Sequence, residues 1–205
     1  MARTRAEDYE DKRALIFERA AELFAEQGFA RTSIAELATR CQASKSWIYH
    51  YFPAKEAILY EILRDHMQLL LTSAEQALCS SHEPRRQLRA VLRALMAVYA
   101  HAQAKHVVLL NELACLPAAQ QHEIRALERQ LVAMVAGVLR ELAPRRLAQP
   151  PLATPVTMLL FGMINWTYTW YQAGGPLRPE QLADLATDLF LNGAAAPAPA
   201  RRIAG

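Results

Sequence analysis

The segment SKSWIYHYF, residues 44–52, places four aromatic rings and a histidine within about two helical turns. Most of its side chains end in a hydrogen-bond donor, and its rings offer flat contact area. Such groups bind phosphates, sugars and base edges without covalent chemistry. A helix N-cap at Ser44 would direct backbone N–H groups outward, where a phosphate oxygen can accept them. The predicted contact residues are Ser44, Lys45, Ser46, Trp47, Tyr49, His50 and Tyr51.

The same segment must also attach itself to the rest of the protein. Ile48 and Phe52 lie one helical turn apart, and apolar side chains at that spacing predict a buried face. Tyr49 and Tyr51 allow two interpretations, because a tyrosine can bury its ring and still expose its hydroxyl. Trp47 is predicted to be exposed, since a helix this short cannot hide both faces.

The cysteine and histidine pattern predicts neither catalysis nor metal binding. Cys41, Cys79 and Cys115 lie far apart and form no CxxC pair, which argues against a disulfide framework and fits a reducing cytoplasm. The six histidines form no HExxH motif and no i,i+4 pair. A helical enzyme would need a nucleophile with its base, paired acids or a metal. We therefore expect no enzymatic activity, no metal and no cofactor.

Charge and hydropathy indicate where the protein works. The first twenty residues are charged throughout, so no secretory signal is predicted, and the apolar stretch 155–170 is too short and too polar for a membrane span. We expect a cytoplasmic protein that does not bind membranes. The net charge is +3, and between Arg31 and Lys55 four basic residues accompany one acidic residue. This distribution predicts a basic patch near the aromatic segment.

The elements that must position this segment are helices. Helical periodicity runs through the chain, and no stretch alternates like a half-buried strand, so the predicted fold class is all-α. In the first helix Ile16, Ala20, Leu23 and Phe24 form one apolar stripe, and Gly28 is predicted to end it in a left-handed cap.

Two short helices are predicted to follow. Ser33 and Glu36 form a capping box for the second helix, and Ser44 opens a third that runs to about Phe52, before Pro53 separates it from a long fourth helix. Two short helices joined by a tight turn make a helix-turn-helix, whose second helix can lie in the major groove. Further helices are predicted at 85–103, 105–115, 118–142, 152–172 and 179–192, with a frayed tail at 194–205.

The stretch FAEQGFARTSIAELATRCQASKSWIYHYFPAKEAIL resembles the N-terminal DNA-binding region of the TetR family of bacterial transcriptional regulators, and the similarity covers residues 10–62. The resemblance implies an all-α homodimer of about nine helices, in which a three-helix DNA-binding head joins a larger effector-binding body. We predict a helix-turn-helix domain at 1–52, a ligand-binding and dimerisation domain at 53–193 and a tail at 194–205. In most members of the family a small molecule bound to the body ends repression.

The resemblance also implies roles for single residues in binding an operator. The residues that match base-reading positions are Lys45, Ser46 and Trp47. Those that match phosphate contacts are Tyr49 and Tyr51, with His50 between them. Ser33 and Lys55 match clamps on the DNA backbone. Two departures from the family pattern are Gln42, which stands where glycine is common in the turn, and Trp47, which is bulkier than usual and can meet a thymine or lie along a ribose.

The body is predicted to hold both the effector and the dimer contact. The side chains predicted to line the pocket are Met67, Leu70, Met96, Tyr99, Leu109 and Leu113, with rings from Trp166 and Trp170. Methionine suits an adaptable apolar ligand, although a buried methionine often only fills a gap. The resemblance places the last two helices in the dimer interface, and an aromatic-rich interface explains the same tryptophans. Which face of 156–171 meets the ligand and which meets the partner is left open.

The stretch INWTYTWYQAGGPL, followed by LADLATDLF, resembles the branch of the family that represses fatty-acid, steroid-ring and phenylacetate catabolism and responds to acyl-CoA thioesters. It implies release by an acyl-CoA such as phenylacetyl-CoA or a fatty acyl-CoA. A sensor of uncharged lipophilic compounds and a dimeric scaffold that does not read DNA are the alternatives. Basic residues that can meet the phosphates of CoA, or can equally form solvated helix faces, are Arg85, Arg86, Arg89, Arg93, Arg125 and Arg129.

Overall fold

The computed structural model describes residues 2–144, 152–172 and 174–194. Within these ranges all regular structure is helical, which confirms the all-α prediction. The α-helices are α1 (Ala2–Gln27), α2 (Ile34–Arg40), α3 (Lys45–Tyr51), α4 (Lys55–Leu78), α5 (Pro84–His101), α6 (Gln103–Glu112), α7 (Ala118–Leu142), α8 (Ala153–Asn165) and α9 (Pro179–Ala194). Short 3-10 helices follow α6 at Leu113–Cys115 and α8 at Trp166–Thr169.

The chain divides into two compact units. Unit 1 comprises Met1–Thr72 and His101–Gln130, and unit 2 comprises Ser73–Ala100 and Leu131–Gly205. Unit 1 contains the helix-turn-helix together with α6, which packs against α1. The domain boundary predicted at residues 52 and 53 follows function rather than contacts, and it remains a prediction. Among the described residues, none of the helices has the length and apolar content needed to cross a bilayer.

Local signals set the helix ends of unit 1 as predicted. Gly28 has a φ of 87° and donates its N–H to the Phe24 carbonyl at 3.0 Å, so a left-handed glycine ends α1. Ser33 and Glu36 form the capping box of α2, and the Ser44 hydroxyl accepts the Trp47 N–H at the start of α3. The two serine caps satisfy N–H groups, and Gly28 satisfies a carbonyl, that a helix cannot satisfy internally.

The turn between α2 and α3 contains a conformation that favours glycine. Gln42 has a φ of 53° and is the one described residue other than glycine with positive φ. Its N–H donates to the Thr39 carbonyl at 3.0 Å, and the Ala43 N–H donates to the Ala38 carbonyl at 2.9 Å. This pair of bonds is the Schellman motif, in which Gln42 takes the position where glycine is usual. The turn thus has the usual Schellman geometry, but glutamine occupies the left-handed position, which is unfavourable for a residue with a Cβ atom.

Replacing Gln42 with glycine is expected to stabilise the protein. Gln42→Gly removes the clash of a Cβ atom in the left-handed region and should raise the free energy of unfolding by about 0.5–1 kcal/mol. Urea unfolding followed by circular dichroism measures the change. Gln42→Ala is the matched control, because it keeps the Cβ atom and should leave the unfolding free energy nearly unchanged; equal effects of the two substitutions would contradict the explanation.

Two of the predicted helices end earlier than the sequence pattern suggested. The helix predicted at 152–172 is α-helical only to Asn165, and the one predicted at 105–115 ends at Glu112. After Asn165 the chain tightens into a 3-10 helix, where the Thr167 hydroxyl donates to the Ile164 carbonyl at 2.6 Å. Side-chain hydroxyls compete with the backbone for helix acceptors, which apolar periodicity does not register. The predicted tail at 194–205 lies outside the described residues except for the end of α9.

Candidate functional site

Helix α3 is held to unit 1 by the apolar residues predicted to be buried. Ile48 is 0% exposed, and the Phe52 ring lies 5.1 Å from the Phe17 ring of α1. The Arg13 guanidinium lies over both rings and forms an ion pair with Glu61 of α4 at 3.0 Å. Helix α3 is therefore fixed to α1, and the Arg13–Glu61 ion pair in turn joins α1 to α4.

The opposite side of α3 forms an exposed edge, which we call the α3 edge. Ser44, Lys45, Ser46, Tyr49 and His50 are exposed, and the Tyr49 side chain makes up much of this edge at 52% exposure. The edge combines an ammonium group, two hydroxyls, a phenol and an imidazole, all of which can donate hydrogen bonds to phosphates or base edges. The structure thus brings five of the predicted contact residues together on one surface.

Trp47 and Tyr51 differ from the other predicted contact residues because they are half-buried. Their ring centroids lie 5.0 Å apart, and the Tyr51 ring lies 4.8 Å from the Tyr9 ring of α1. Three rings therefore form a row that runs from α1 to the α3 edge. The row corrects the prediction that Trp47 is exposed, because one side of the indole packs against Tyr51. Aromatic packing of this kind fixes a ring in one orientation.

Tyr9 is a residue that sequence reasoning missed. It precedes the aromatic segment by some forty residues, and the first turns of α1 show no DNA-binding signature that would single it out. Its ring supports Tyr51, which in turn supports Trp47. We therefore predict that Tyr9 positions these two rings for a contact with DNA.

Removing the Tyr9 ring should weaken operator binding without unfolding the protein. Tyr9→Leu is expected to lower operator affinity by about five- to tenfold, because the Tyr51 and Trp47 rings lose a contact worth about 1 kcal/mol. Tyr9→Phe keeps the ring and should bind like the parent protein. Fluorescence anisotropy with labelled operator measures both variants. If both bind like the parent protein, the Tyr9 ring has no positioning role.

Ser33 and Lys55, the predicted backbone clamps, already have partners within the protein. The Lys55 ammonium donates to the carbonyls of Phe29 and Thr32 at 2.6 and 2.7 Å and lies 4.2 Å from the centre of the Phe29 ring. The Ser33 hydroxyl donates to Glu36 at 2.9 Å, and the Ser33 backbone N–H is the main reason why the Glu36 pKa is lowered. Both residues hold the loop between α1 and α2 in place, whatever contact they make with DNA.

The predicted basic patch is smaller than the count of charges suggests. Arg40 forms an ion pair with Glu26 at 2.9 Å, and this hydrogen bond lowers the pKa of the Glu26 carboxyl. Arg31 donates to the Gln27 carbonyl at 2.6 Å. Lys45 lies on the α3 edge itself and is exposed. Among these three residues only Arg40 is offset by a carboxylate, whereas Arg31, bound to a neutral carbonyl, and Lys45 keep their positive charge.

The residues predicted to line a ligand pocket fall into both units. Met67, Leu70 and Leu109 are buried in unit 1, where Leu113 is half-buried. In unit 2, Met96 is buried, and the buried Tyr99 donates its hydroxyl to Asn165 at 2.8 Å, with burial raising the Tyr99 pKa. Asn165 is a polar residue of this region that the sequence analysis did not select.

The two tryptophans of the predicted pocket lie on the surface of the protomer. Trp166 is 63% exposed and Trp170 is 53% exposed. They extend an apolar surface of α8 and α9, which we call the α8–α9 face. Its exposed side chains are Met158, Leu159, Met163, Trp166, Trp170, Leu185 and Leu189. This exposure corrects the assignment of the two rings to a pocket inside the protomer and agrees with the alternative interpretation, an oligomer contact.

Three of the arginines proposed to meet a CoA phosphate are already paired, one of them, Arg86, with Glu83 at 2.8 Å. Arg93 of α5 binds Asp184 of α9 through two nitrogens, at 2.7 and 2.6 Å, and its hydrogen bond lowers the pKa of Asp184. Arg89 contacts Asp184 at 3.2 Å and also binds Asp188. These pairs join α5 to α9, and the Arg93 side chain stays exposed while it is paired, so the ion pair is compatible with its position on a solvated face.

Comparison with known proteins decides the family. Residues 16–62 match the family described as bacterial regulatory proteins, tetR family, and residues 81–194 match the tetracyclin repressor-like C-terminal domain. The chain belongs to the TetR family. The first match contains the whole of α2 and α3, so the α3 edge of this TetR-family protein lies on the helix that reads DNA in a helix-turn-helix.

Relatives of this TetR-family protein align over most of its length. A TetR-family transcriptional regulator from Bordetella parapertussis 12822 has 42% identity and a TM-score of 0.86, with coverage of 92% of this chain and 98% of that one. The transcriptional repressor KstR2 of Mycolicibacterium smegmatis is 26% identical over 186 residues, which are 89% of this chain and 90% of KstR2. A crystal structure of AibR in complex with isovaleryl coenzyme A and operator DNA has 26% identity and a TM-score of 0.76, with coverage of 87% and 97%.

Proposed function

We propose that this protein is a homodimeric repressor that binds a pseudo-palindromic operator and leaves it when an acyl-CoA binds. The observation that carries the proposal is the α3 edge, where exposed donors surround a helix anchored by the buried Ile48. A buried anchor fixes the register of the helix, and exposed donors then meet the same base edges each time. The similarity to KstR2, a repressor, supports repression over activation.

The α8–α9 face supplies the dimer contact in this proposal. Leu159 is 72% exposed and Leu189 is 60% exposed, and side chains of this kind seldom stand in a contiguous group on a monomer. A two-fold axis through this face brings the same side chains of the two protomers together. The two α3 helices would then meet successive major grooves about 34–36 Å apart.

The proposed effector is an acyl-CoA thioester, such as isovaleryl-CoA, phenylacetyl-CoA or a fatty acyl-CoA. The similarity to AibR, which was crystallised with isovaleryl coenzyme A and operator DNA, supports this class of ligand. Within unit 1, the apolar buried residues Met67 and Leu70 suit an acyl chain. Arg85, Arg125 and Arg129 are exposed and remain candidates for the CoA phosphates, whereas Arg89 and Arg93 are bound to aspartates.

Substitutions on the α3 edge test the DNA-reading role. Lys45→Ala and Tyr49→Phe should each lower operator affinity about tenfold, because each removes one donor to DNA. Both side chains are exposed, so the thermal unfolding midpoint should stay the same. His122→Ala, an exposed substitution on α7, is the control. Unchanged operator retention in both edge variants would instead favour a dimeric scaffold that does not read DNA.

Competition on the operator tests the effector class. The operator-bound protein is titrated with free CoA, with the free acid and with the corresponding thioester, and release is followed by fluorescence anisotropy. We expect release by the thioester alone, because only that molecule combines the acyl chain with the nucleotide. Indifference to every thioester at saturating concentration would reject this class and favour a sensor of uncharged lipophilic compounds.

A further inference from the structure

Two buried histidines on different helices contact each other within unit 1. His66 of α4 is 1% exposed and His106 of α6 is 2% exposed. Nε2 of His66 lies 3.3 Å from Nδ1 of His106, and the ring centroids are 5.5 Å apart. The two residues are separated by 40 positions in the sequence, so neither spacing nor motif analysis pairs them.

The buried neighbours of the two histidines along their helices are apolar. Leu70 lies one turn beyond His66 on the same face of α4 and is buried. On α6, Leu109 lies about one turn beyond His106 on the same face and is also buried. The pair therefore places polar groups among apolar side chains. Small-molecule sites have this composition, since they combine mostly apolar side chains with a few polar groups.

Both rings are uncharged near neutral pH. Burial lowers the pKa of His66 to about 4, with a smaller contribution from Lys105, and lowers the pKa of His106 to about 3. A neutral imidazole carries one N–H and one lone pair. The contact between the rings uses one nitrogen of each, and the direction of that hydrogen bond sets whether Nδ1 of His66 presents an N–H or a lone pair.

Nδ1 of His66 is buried and has no hydrogen-bond partner among the described residues. Buried polar atoms rarely lack a partner in folded proteins, and an unsatisfied one destabilises the fold. A residue that only filled space here would be more favourable as leucine or phenylalanine. The described residues also contain no group of three His, Cys, Asp or Glu that could hold a metal ion, so an organic hydrogen-bonding group suits the pair better than a cation.

We propose that the His66–His106 pair is the polar contact of the effector site, and that Nδ1 of His66 forms a hydrogen bond with a neutral carbonyl or hydroxyl group of the effector. The inference rests on the effector-binding function proposed above. In an acyl-CoA the group is the thioester carbonyl, which accepts the Nδ1–H of His66 while Nε2 accepts the N–H of His106. The apolar neighbours of the pair then receive the acyl chain.

Two variants of His66 separate its two nitrogens. In asparagine the amide atoms are bonded to Cγ, as Nδ1 is in histidine, whereas in glutamine they lie further out, near the place of Nε2. His66→Gln therefore retains a hydrogen-bond partner for Nδ1 of His106 but removes the group at the position of Nδ1 of His66, which is proposed to bind the effector. His66→Asn keeps the group at the Nδ1 position and gives up the contact with His106. His122→Gln, on the exposed side of α7, is the control.

The ligands form a matched set as well. Isovaleryl-CoA and phenylacetyl-CoA are each compared with a thioether analogue, in which a methylene replaces the thioester carbonyl. Isothermal titration calorimetry gives the ratio of the two affinities for each variant. In the parent protein we expect the thioester to bind about five- to tenfold more tightly, as one hydrogen bond provides. His66→Gln should bring this ratio close to one without changing thioether affinity, and His66→Asn should retain the preference.

The following results would contradict the proposed role of His66. A ratio near one in the parent protein, or an unchanged ratio in a folded His66→Gln variant, overturns it while leaving acyl-CoA binding intact. If the parent protein binds none of the thioesters, the proposed effector class fails, and this inference fails with it. If His66→Gln does not fold, nitrogen-15 NMR of the parent protein decides, because thioester but not thioether must shift the His66 Nδ1 resonance.

Discussion

Leu159→Arg combined with Leu189→Arg is expected to give a folded monomer that no longer retains its operator. Both leucines are largely exposed in the protomer, so charged side chains can replace them at little cost to the fold. In a two-fold interface each substitution is present twice, and four arginines would face one another across an apolar contact. Like charges in a desolvated interface cost several kcal/mol.

The loss of the dimer should remove most of the operator affinity. The DNA-binding head of a monomer contacts only one half-site of the operator. DNA-binding proteins typically bind their specific sites 10³- to 10⁷-fold more tightly than non-specific DNA. We expect operator affinity to fall about 100-fold or more, since half of the specific contacts are lost. Analytical ultracentrifugation measures the oligomeric state, and anisotropy measures DNA binding.

Leu69→Arg provides the matched control for the dimer experiment. Leu69 of α4 is 45% exposed and does not belong to the α8–α9 face. The control should remain dimeric and bind the operator like the parent protein. A dimer that survives the double substitution would show that the two protomers meet through a different surface, and the proposed spacing of the α3 helices would have to be derived again.

Lys55→Met is expected to lower the free energy of unfolding by about 2 kcal/mol and to weaken operator binding. The ammonium group donates to the carbonyls of Phe29 and Thr32 and contacts the Phe29 ring. Hydrogen bonds to a charged group contribute about 1.5–3 kcal/mol each, and partial solvent exposure reduces that value. Without the lysine, the loop between α1 and α2 loses its link to the start of α4.

The salt dependence of binding separates positioning from a direct phosphate contact by Lys55. A lysine that neutralises one phosphate contributes about 0.9 to the slope of log affinity against log salt concentration. Because Lys55 is occupied by two carbonyls, we expect the Lys55→Met slope to match that of the parent protein although the affinity is lower. Lys12→Met, on the surface of α1, is the control for loss of a lysine. A slope reduced by about one would restore the clamp interpretation.

Much of the helix-turn-helix could be predicted because its signals act over one turn of chain. The capping box at Ser33 and Glu36, the N-cap at Ser44 and the left-handed Gly28 each bind atoms within four residues. Buried Ile48 and Phe52 followed from helical spacing. The resemblance of the N-terminal region, confirmed by the match over 16–62, covers these same local elements, and the match over 81–194 adds the C-terminal domain.

The predictions for the effector region were less complete because their determinants are distant in the chain. Trp166 and Trp170 are exposed, although the sequence equally allows them to line a pocket, because periodicity does not tell a buried face from an exposed interface. Arg89 and Arg93 were interpreted as solvated or phosphate-binding, and their true partners lie more than ninety residues away. The hydrophobic pattern predicts which side of a helix is apolar. It does not predict which residues of other helices contact that side, because those contacts depend on how the helices pack.

The sequence by itself therefore determined the all-helical class, the ends of α2 and α3, the anchored and exposed sides of α3, and membership of the TetR family. Tertiary structure decided that Tyr9 supports the ring of Tyr51, that Lys55 binds two loop carbonyls, and that His66 meets His106. The physical reason is the range of the interactions. Caps and helical faces depend on atoms one turn apart, whereas each of these contacts joins groups 23 or more residues apart, and only packing of the helices brings them together.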